Sequence, residues 1–227
     1  MGRASRRLLV FGRFPEAGVT KTRLIPALGA SGAARLYQAF LDDTIATARG
    51  LPSVLAELWV PPRDGAEAML SARYPDLPLR WQRGDDLGAR MSDAFESVFS
   101  EGADYAVITG SDHPTLPADY LGRAFSALIA AHLVLGPSTD GGYWAIGLRR
   151  YAWPKARPLF ADVPWSTSRV LDLTRRRAVE LDLCHVELPV WYDVDEPTEL
   201  QRLKRDAAPD SQSSAVLRAL TSESVFR

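Results

Sequence analysis

A single cysteine, only three histidines, no long apolar run and almost no net charge set the first limits on this chain. One thiol, Cys184, excludes an intramolecular disulfide and any multi-cysteine metal centre. Its place in the strand-like run 183–188 predicts a buried, inert side chain. The first residues are basic, but the apolar run 8–11 is too short for a signal peptide or membrane anchor, so a cytoplasmic protein is expected. A formal net charge of -1 argues against a nucleic-acid partner and against an anionic membrane surface, leaving only local cationic loops. No internal repeat, low-complexity tract or interdomain linker interrupts the chain. Its 227 residues, 46% hydrophobic and 24% charged, suit one α/β enzyme domain over 1–206 with a C-terminal tail over 207–227.

What is present is organised around Ala103-Asp-Tyr-Ala-Val-Ile-Thr-Gly-Ser-Asp-His-Pro114. Residues 105–108 are a nearly continuous apolar run between glycines, the pattern of a central buried strand. Asp112 follows at its carboxyl end, where open α/β sheets bind ligands. A bare carboxylate there calls for a counter-charge, and a divalent cation carrying phosphate oxygens supplies one. The competing reading is a turn aspartate capping the helix near Pro117, a role Thr115 could equally fill. Further strands are expected at 8–11, 54–60, 77–82, 133–135, 143–148 and 184–188. Helices are expected after Pro26, where Ser31 can cap, and at 66–73, from Gly84 onward, at 117–131, at 168–181 and after Pro197. Alternation of this kind implies a mainly parallel sheet covered by helices on both faces. The strands at 133–135 and 143–148 are too close for a crossover helix, so one should run antiparallel. The tail is expected to be a frayed extension with one short helix near 216–220.

Four loops carry chemistry-bearing residues. The loop leaving the first strand holds Gly12, Arg13, Gly18, Lys21 and Arg23, a plausible polyphosphate cradle. Its spacing fits neither a P-loop nor a dinucleotide-binding glycine motif. Lys21 and Arg23 would share one side only if the loop is extended. Asp193-Val-Asp195 places two carboxylates on one face of an extended segment, with Val194 inward. Together with Asp112 they form a hard-oxygen set suited to Mg²⁺ or Mn²⁺, Asp195 being alternatively an N-cap. His113 reads as a structural hydrogen-bonder. Asp140-Gly-Gly-Tyr143 is either a plain hairpin turn or a site where the amides of Gly141 and Gly142 face a substrate and Asp140 serves as base. In Gly84-Asp-Asp-Leu-Gly-Ala-Arg90, Asp85 or Asp86 can cap a helix, and Asp86 with Arg90 forms an i,i+4 pair. Trp165-Ser-Thr167 offers a stacking ring beside a helix cap at Ser166 or Thr167.

Taken in order, Phe14-Pro-Glu-Ala-Gly-Val-Thr-Lys-Thr-Arg-Leu24, Gly84-Asp-Asp-Leu-Gly-Ala-Arg-Met91, Gly110-Ser-Asp-His-Pro114, Gly136-Pro-Ser-Thr-Asp-Gly-Gly-Tyr143, Pro164-Trp-Ser-Thr167 and Tyr192-Asp-Val-Asp195 resemble the bacterial DUF2064 family. That family is grouped with the nucleotide-diphospho-sugar transferases. The resemblance implies a GT-A-type three-layer sandwich with a mixed sheet, and nucleotide over the first-strand loop. It also implies a cation bridging phosphates to Asp112. The ending resembles the metal-binding close of the 2-phospholactate and molybdenum-cofactor guanylyltransferases. Position 110 is Gly, so the stretch departs from a full Asp-x-Asp motif. Two reactions follow as expectations. One is glycosyl transfer from a nucleotide-sugar to a small acceptor, with Asp112, Asp140 and Lys21 catalytic. The other is nucleotidyl transfer releasing pyrophosphate. In both, Gly12, Arg13, Gly18, Lys21, Arg23, Asp86 and Arg90 hold nucleotide, Gly141, Gly142 and Trp165 hold substrate, and Asp112, Asp193 and Asp195 hold metal. A nucleotide-sensing module without turnover is a third, weaker reading.

Overall fold

A computed structural model of the protein describes residues 4–224, so the two ends of the expected domain and tail, 1–3 and 225–227, lie outside the described residues. Among the described residues the strands are β1 (Arg6–Phe11), β2 (Leu55–Val60), β3 (Leu79–Trp81), β4 (Tyr105–Gly110), β5 (Leu133–Pro137), β6 (Tyr143–Arg149) and β7 (His185–Glu187). The helices are α1 (Ile25–Arg49), α2 (Ala66–Arg73), α3 (Leu87–Ser100), α4 (Ala118–Ala127), α5 (Trp153–Ala156), α6 (Val170–Glu180), α7 (Glu199–Asp206) and α8 (Gln212–Ser224). One sheet runs β3-β2-β1-β4-β6-β5-β7. Its neighbours pair in parallel except β6, which is antiparallel to both β4 and β5. The short connection 138–142 forces that reversal, since a parallel return needs a crossover.

Period-2 alternation in the strands splits their side chains between two cores. Leu9, Ile108 and Ile146 point to the face covered by α3 and α6 through Phe95, Phe99 and Leu171. Leu8, Val10 and Val107 point to the other, covered by α1, α2 and α4 through Leu41, Leu70 and Phe125. Helices on both faces make the fold a three-layer α/β sandwich, and burial on this scale is its main support. No helix of the described residues is long and apolar enough to cross a membrane.

Several local expectations are corrected. The first helix starts at Ile25 rather than behind a Ser31 cap, and Gly29 (φ 70°, ψ 163°) breaks its helical path near the expected start. Residues 153–160 form a short helix and 3-10 turns that seat Trp153 and Phe160 against Phe95. Cys184 is exposed, because β7 is the edge strand and packs only on β5. The tail carries a docked helix longer than the one expected. The Asp43 carboxylate on α1 accepts from the backbone of Gln212 (2.9 Å) and Ser213 (2.8 Å), satisfying the start of α8 from another helix. Leu217 and Leu220 then join Leu36, Phe40, Tyr192 and Leu203 in a third core.

Candidate active site

The carboxyl ends of β1 and β4 open side by side, because the two strands pair in parallel from Arg6↔Tyr105 to Phe11↔Gly110. Beyond them the chain is held by a short relay of polar groups. Tyr37, buried on α1, accepts from the Arg13 amide (2.7 Å) and shares a hydrogen bond with the Ser111 hydroxyl (2.8 Å). Burial, reinforced by the Asp112 charge, raises the Tyr37 phenol to about 12, so it stays protonated. Val194 then donates its amide to the Asp112 carbonyl (2.9 Å), and His113 Nδ1 lies 3.0 Å from the Tyr192 carbonyl. Those two contacts bring the segment ending at Asp195 against the end of β4. Burial lowers the His113 pKa, consistent with a neutral ring in the structural role expected of it.

Lys21 sits at the centre. Its backbone is left-handed (φ 52°, ψ 47°), which turns its side chain into the cleft before the 3-10 turn Thr22–Leu24. Its side chain is 5% exposed, and its ammonium lies 2.6 Å from Asp112 Oδ1 and against Asp195 Oδ1. Burial opposes the charge of Lys21, but the two carboxylates outweigh it and its pKa is raised. Burial likewise opposes the charge of Asp112, and Lys21 prevails in holding that carboxyl below the usual range. Asp112 and Asp195 keep 44% and 39% of their side-chain surface open to the cleft. Asp193 is different. Burial, then the neighbouring Asp140 and Asp195, push its carboxyl up to about 7, while Ser138 offers only a long hydrogen bond of 3.5 Å.

Two cavities meet at this bridge. One, about 440 Å³, is lined by Arg13, Thr20, Lys21, Arg23, Ser166 and Ser168 beside Asp112, Asp140 and Asp195. The other, about 570 Å³, adds Gly12, Gln82, Asp86, Arg90, Gly142, Trp165 and Asp193. All the expected site residues therefore line one or both cavities except Gly18 and Gly141. Gly18 (φ 85°) shapes an exposed turn. Gly141 lets the turn approach α6: a Cβ there would stand 2.2 Å from the Ser168 carbonyl oxygen.

The geometry alters several expected roles. The amides of Gly141 and Gly142 are taken within their own turn, by the Ser138 carbonyl (3.2 Å) and Asp140 Oδ1 (2.9 Å), so neither faces a substrate. Arg23 diverges from Lys21 and is 70% exposed, with a loose contact to Glu196 at 3.6 Å. Asp86 caps α3 by accepting from Ala89 N (2.7 Å), while Arg90 Nε turns back to the Gly84 carbonyl (3.0 Å) instead of pairing with it. Asp195 does not cap α7; Glu199 reaches back to the amides of Asp195 and Glu196. Thr167 donates to the Pro164 carbonyl (2.7 Å) rather than capping α6. Thr115 bonds the Tyr192 hydroxyl (2.8 Å), so it does not cap α4 either. The Trp165 ring lies over Gly88, where a Cβ would meet it at 2.7 Å, and its buried Nε1 has no partner among the described residues.

Among the cleft residues given no role from the sequence are Tyr37, Ser111, Gln82, Thr20 and Ser168. Tyr37 carried a signal, since it lies beside Leu36 in the apolar stripe and a buried phenol needs a partner. Gln82 is buried and donates to the Trp59 carbonyl (2.8 Å) and, at longer range, to the Gly12 carbonyl (3.3 Å).

The acidic donor set of the cleft is compatible with a divalent cation. It consists of hard carboxylate oxygens, and Asp193 is left under-neutralised by its acidic neighbours, so the chemistry suits Mg²⁺ or Mn²⁺. No group of three metal-ligating side chains is pre-assembled among the described residues, so such an ion would need further oxygens from water or a ligand.

Residues 44–167 match the family described as uncharacterized proteins conserved in bacteria, DUF2064. The chain belongs to this family. A candidate nucleotide-diphospho-sugar transferase from Desulfovibrio desulfuricans G20 is 30% identical, with a TM-score of 0.88 over 96% of this chain and 98% of that one. A cytidylyltransferase from Leptospira borgpetersenii serovar Hardjo-bovis superposes with a TM-score of 0.60 at 10% identity, over 99% of this chain and 97% of its own. A Mycobacterium tuberculosis H37Rv protein in complex with manganese gives a TM-score of 0.52 at 20% identity, over 89% of this chain and 100% of its own. At such identities the last two speak for the fold alone. No curated protein matches the sequence significantly. This DUF2064 chain thus has the expected sandwich, shared with nucleotide-using transferases.

Proposed function

We propose that this DUF2064 protein is a transferase acting on a nucleotide-activated donor, with a divalent cation in the cleft. The observation that carries the reading is the meeting of Asp112, Asp193 and Asp195 with Lys21 and Arg13 at the carboxyl end of the sheet. Open α/β sheets hold ligands there, and adjoining acidic and basic groups suit a metal-neutralised polyphosphate. The names of the similar structures agree with this class.

The preferred reaction is glycosyl transfer from a nucleoside-diphosphate sugar to a small acceptor. The larger cavity, with Gly12, Gln82, Asp86 and Trp165, has the mixed apolar and polar lining a nucleoside needs. Lys21, Arg13 and Arg23 supply positive charge beside the leaving diphosphate. Asp140, exposed at the meeting of both cavities, is placed to accept the acceptor hydroxyl's proton. Mg²⁺ or Mn²⁺ bound by Asp112 with Asp193 or Asp195 would stabilise charge on the departing phosphate.

The alternative is nucleotidyl transfer from a nucleoside triphosphate. It is favoured by one feature, the smaller cavity, whose cations and hydroxyls (Arg13, Lys21, Arg23, Thr20, Ser166, Ser168) would hold a pyrophosphate. Incubating the protein with Mn²⁺, each nucleoside triphosphate and each common nucleotide-sugar, with phosphorylated and unphosphorylated acceptors, separates the two. Nucleoside diphosphate release supports glycosyl transfer, and pyrophosphate release supports the alternative. Turnover with neither product would refute both. Asp140→Asn should lower the glycosyl-transfer rate by about 10²–10⁴ with a smaller effect on nucleotide affinity.

A further inference from the structure

Lys21 does more than line the cleft: it occupies the position a bridging cation would take. Its ammonium contacts one oxygen of Asp112 at 2.6 Å and one of Asp195. Hard divalent cations sit about 2.0–2.6 Å from carboxylate oxygens, so an ion bridging the same two atoms would overlap the lysine nitrogen. A cation elsewhere on these carboxylates would face a buried like charge within a few ångströms. Two other observations agree. No three metal-ligating side chains are pre-assembled among the described residues. The lysine also lines the hydroxyl- and cation-rich cavity, where a polyphosphate would lie against it.

We infer that Lys21 is the resident counter-ion of Asp112 and Asp195, and that it couples metal binding to nucleotide binding. In the free protein it holds the carboxylates and keeps divalent cations weakly bound. A polyphosphate draws the ammonium to its own oxygens and supplies the ligands the cation lacks, so the two enter together. The inference rests on the proposed nucleotide site and adds a positioning role to Lys21. Its backbone conformation (φ 52°) fixes where the side chain enters, and Thr20, buried and bonded to the Phe14 carbonyl at 2.9 Å, anchors the turn before it.

The test needs no turnover. Free Mn²⁺ is measured by electron paramagnetic resonance during titration of the wild type, Lys21→Met and Lys21→Arg with MnCl₂ alone. Lys21→Met should bind Mn²⁺ at least tenfold more tightly than the wild type, while Lys21→Arg, which keeps the charge, should not. Lys21→Gln carries the same expectation as Lys21→Met and serves if the methionine variant does not fold. In the wild type, the nucleotide giving the largest thermal shift should tighten Mn²⁺ binding, and that coupling should be lost in Lys21→Met. Mn²⁺ affinity in Lys21→Met or Lys21→Gln equal to or below wild type overturns the inference. Failure of every nucleotide to bind the wild type refutes the proposed function, whereas the comparison in MnCl₂ alone still decides whether Lys21 excludes the cation.

Discussion

The molecule gathers charge in two places, and they are built differently. Toward the amino ends of β1 and β2, Glu57 is wholly buried between Arg7 and Arg80, with Glu101 bridging both arginines and Trp59 Nε1 donating to Glu57 at 3.1 Å. Two cations face two carboxylates there. At the carboxyl end, Asp112 and Asp195 hold the buried ammonium of Lys21, Asp140 and Asp193 line the adjoining cavity, and burial, followed by Asp140 and Asp195, pushes Asp193 up to about 7. The first cluster is neutralised within the protein and ties β1 to β2 and β3. The second keeps an excess of negative charge facing a cavity, which only an added cation or a proton can relieve. Balance, more than the number of charges, separates a structural cluster from a candidate site.

The largest effect should come from breaking the balanced cluster. Glu57→Ala leaves two guanidinium groups without a buried partner and should cost about 3–5 kcal/mol in denaturant unfolding. Nucleotide-induced thermal shifts should persist in the folded variant, and their loss would show the two clusters to be one unit. A smaller, opposite effect is expected at Asp193. Its folded pKa is raised, so its contribution to stability is complete below the unfolded value and is lost as pH rises through about 7. Wild-type Tm should therefore fall between about pH 4 and 7 more steeply than that of Asp193→Asn. The variant should be the more stable of the two at pH 8, by roughly 2–4 °C. Mn²⁺ should flatten the wild-type slope. Parallel pH profiles would mean that Asp193 is already neutralised.

The sandwich was legible because its strands are short apolar runs and its helices repeat apolar residues at helical spacing, as in the Phe95, Val98 and Phe99 stripe. The antiparallel strand was legible from loop length alone. Legibility failed where a partner lies far along the chain. Asp43 caps α8 across 169 residues, and Lys21 meets Asp195 across 174. Neither contact leaves a local pattern. Cys184 misled because a β-like run does not say whether its strand is central or at an edge. Asp112 could be nominated from its place at the end of a strand, and Asp193 and Asp195 from their alternation in an extended segment. That a lysine holds two of them together required the fold.

Thermal denaturation of the wild type and Asp112→Asn, each with and without Mn²⁺ and a panel of nucleotides, decides whether Asp112 belongs to a metal and nucleotide site. The two proteins should share the same unliganded Tm within a few degrees. Tm should rise with Mn²⁺ and nucleotide together in the wild type, and affinity should fall about 10–100-fold in the variant. An Asp112→Asn protein stabilised by Mn²⁺ and nucleotide as strongly as the wild type would contradict the assignment of Asp112 to that site.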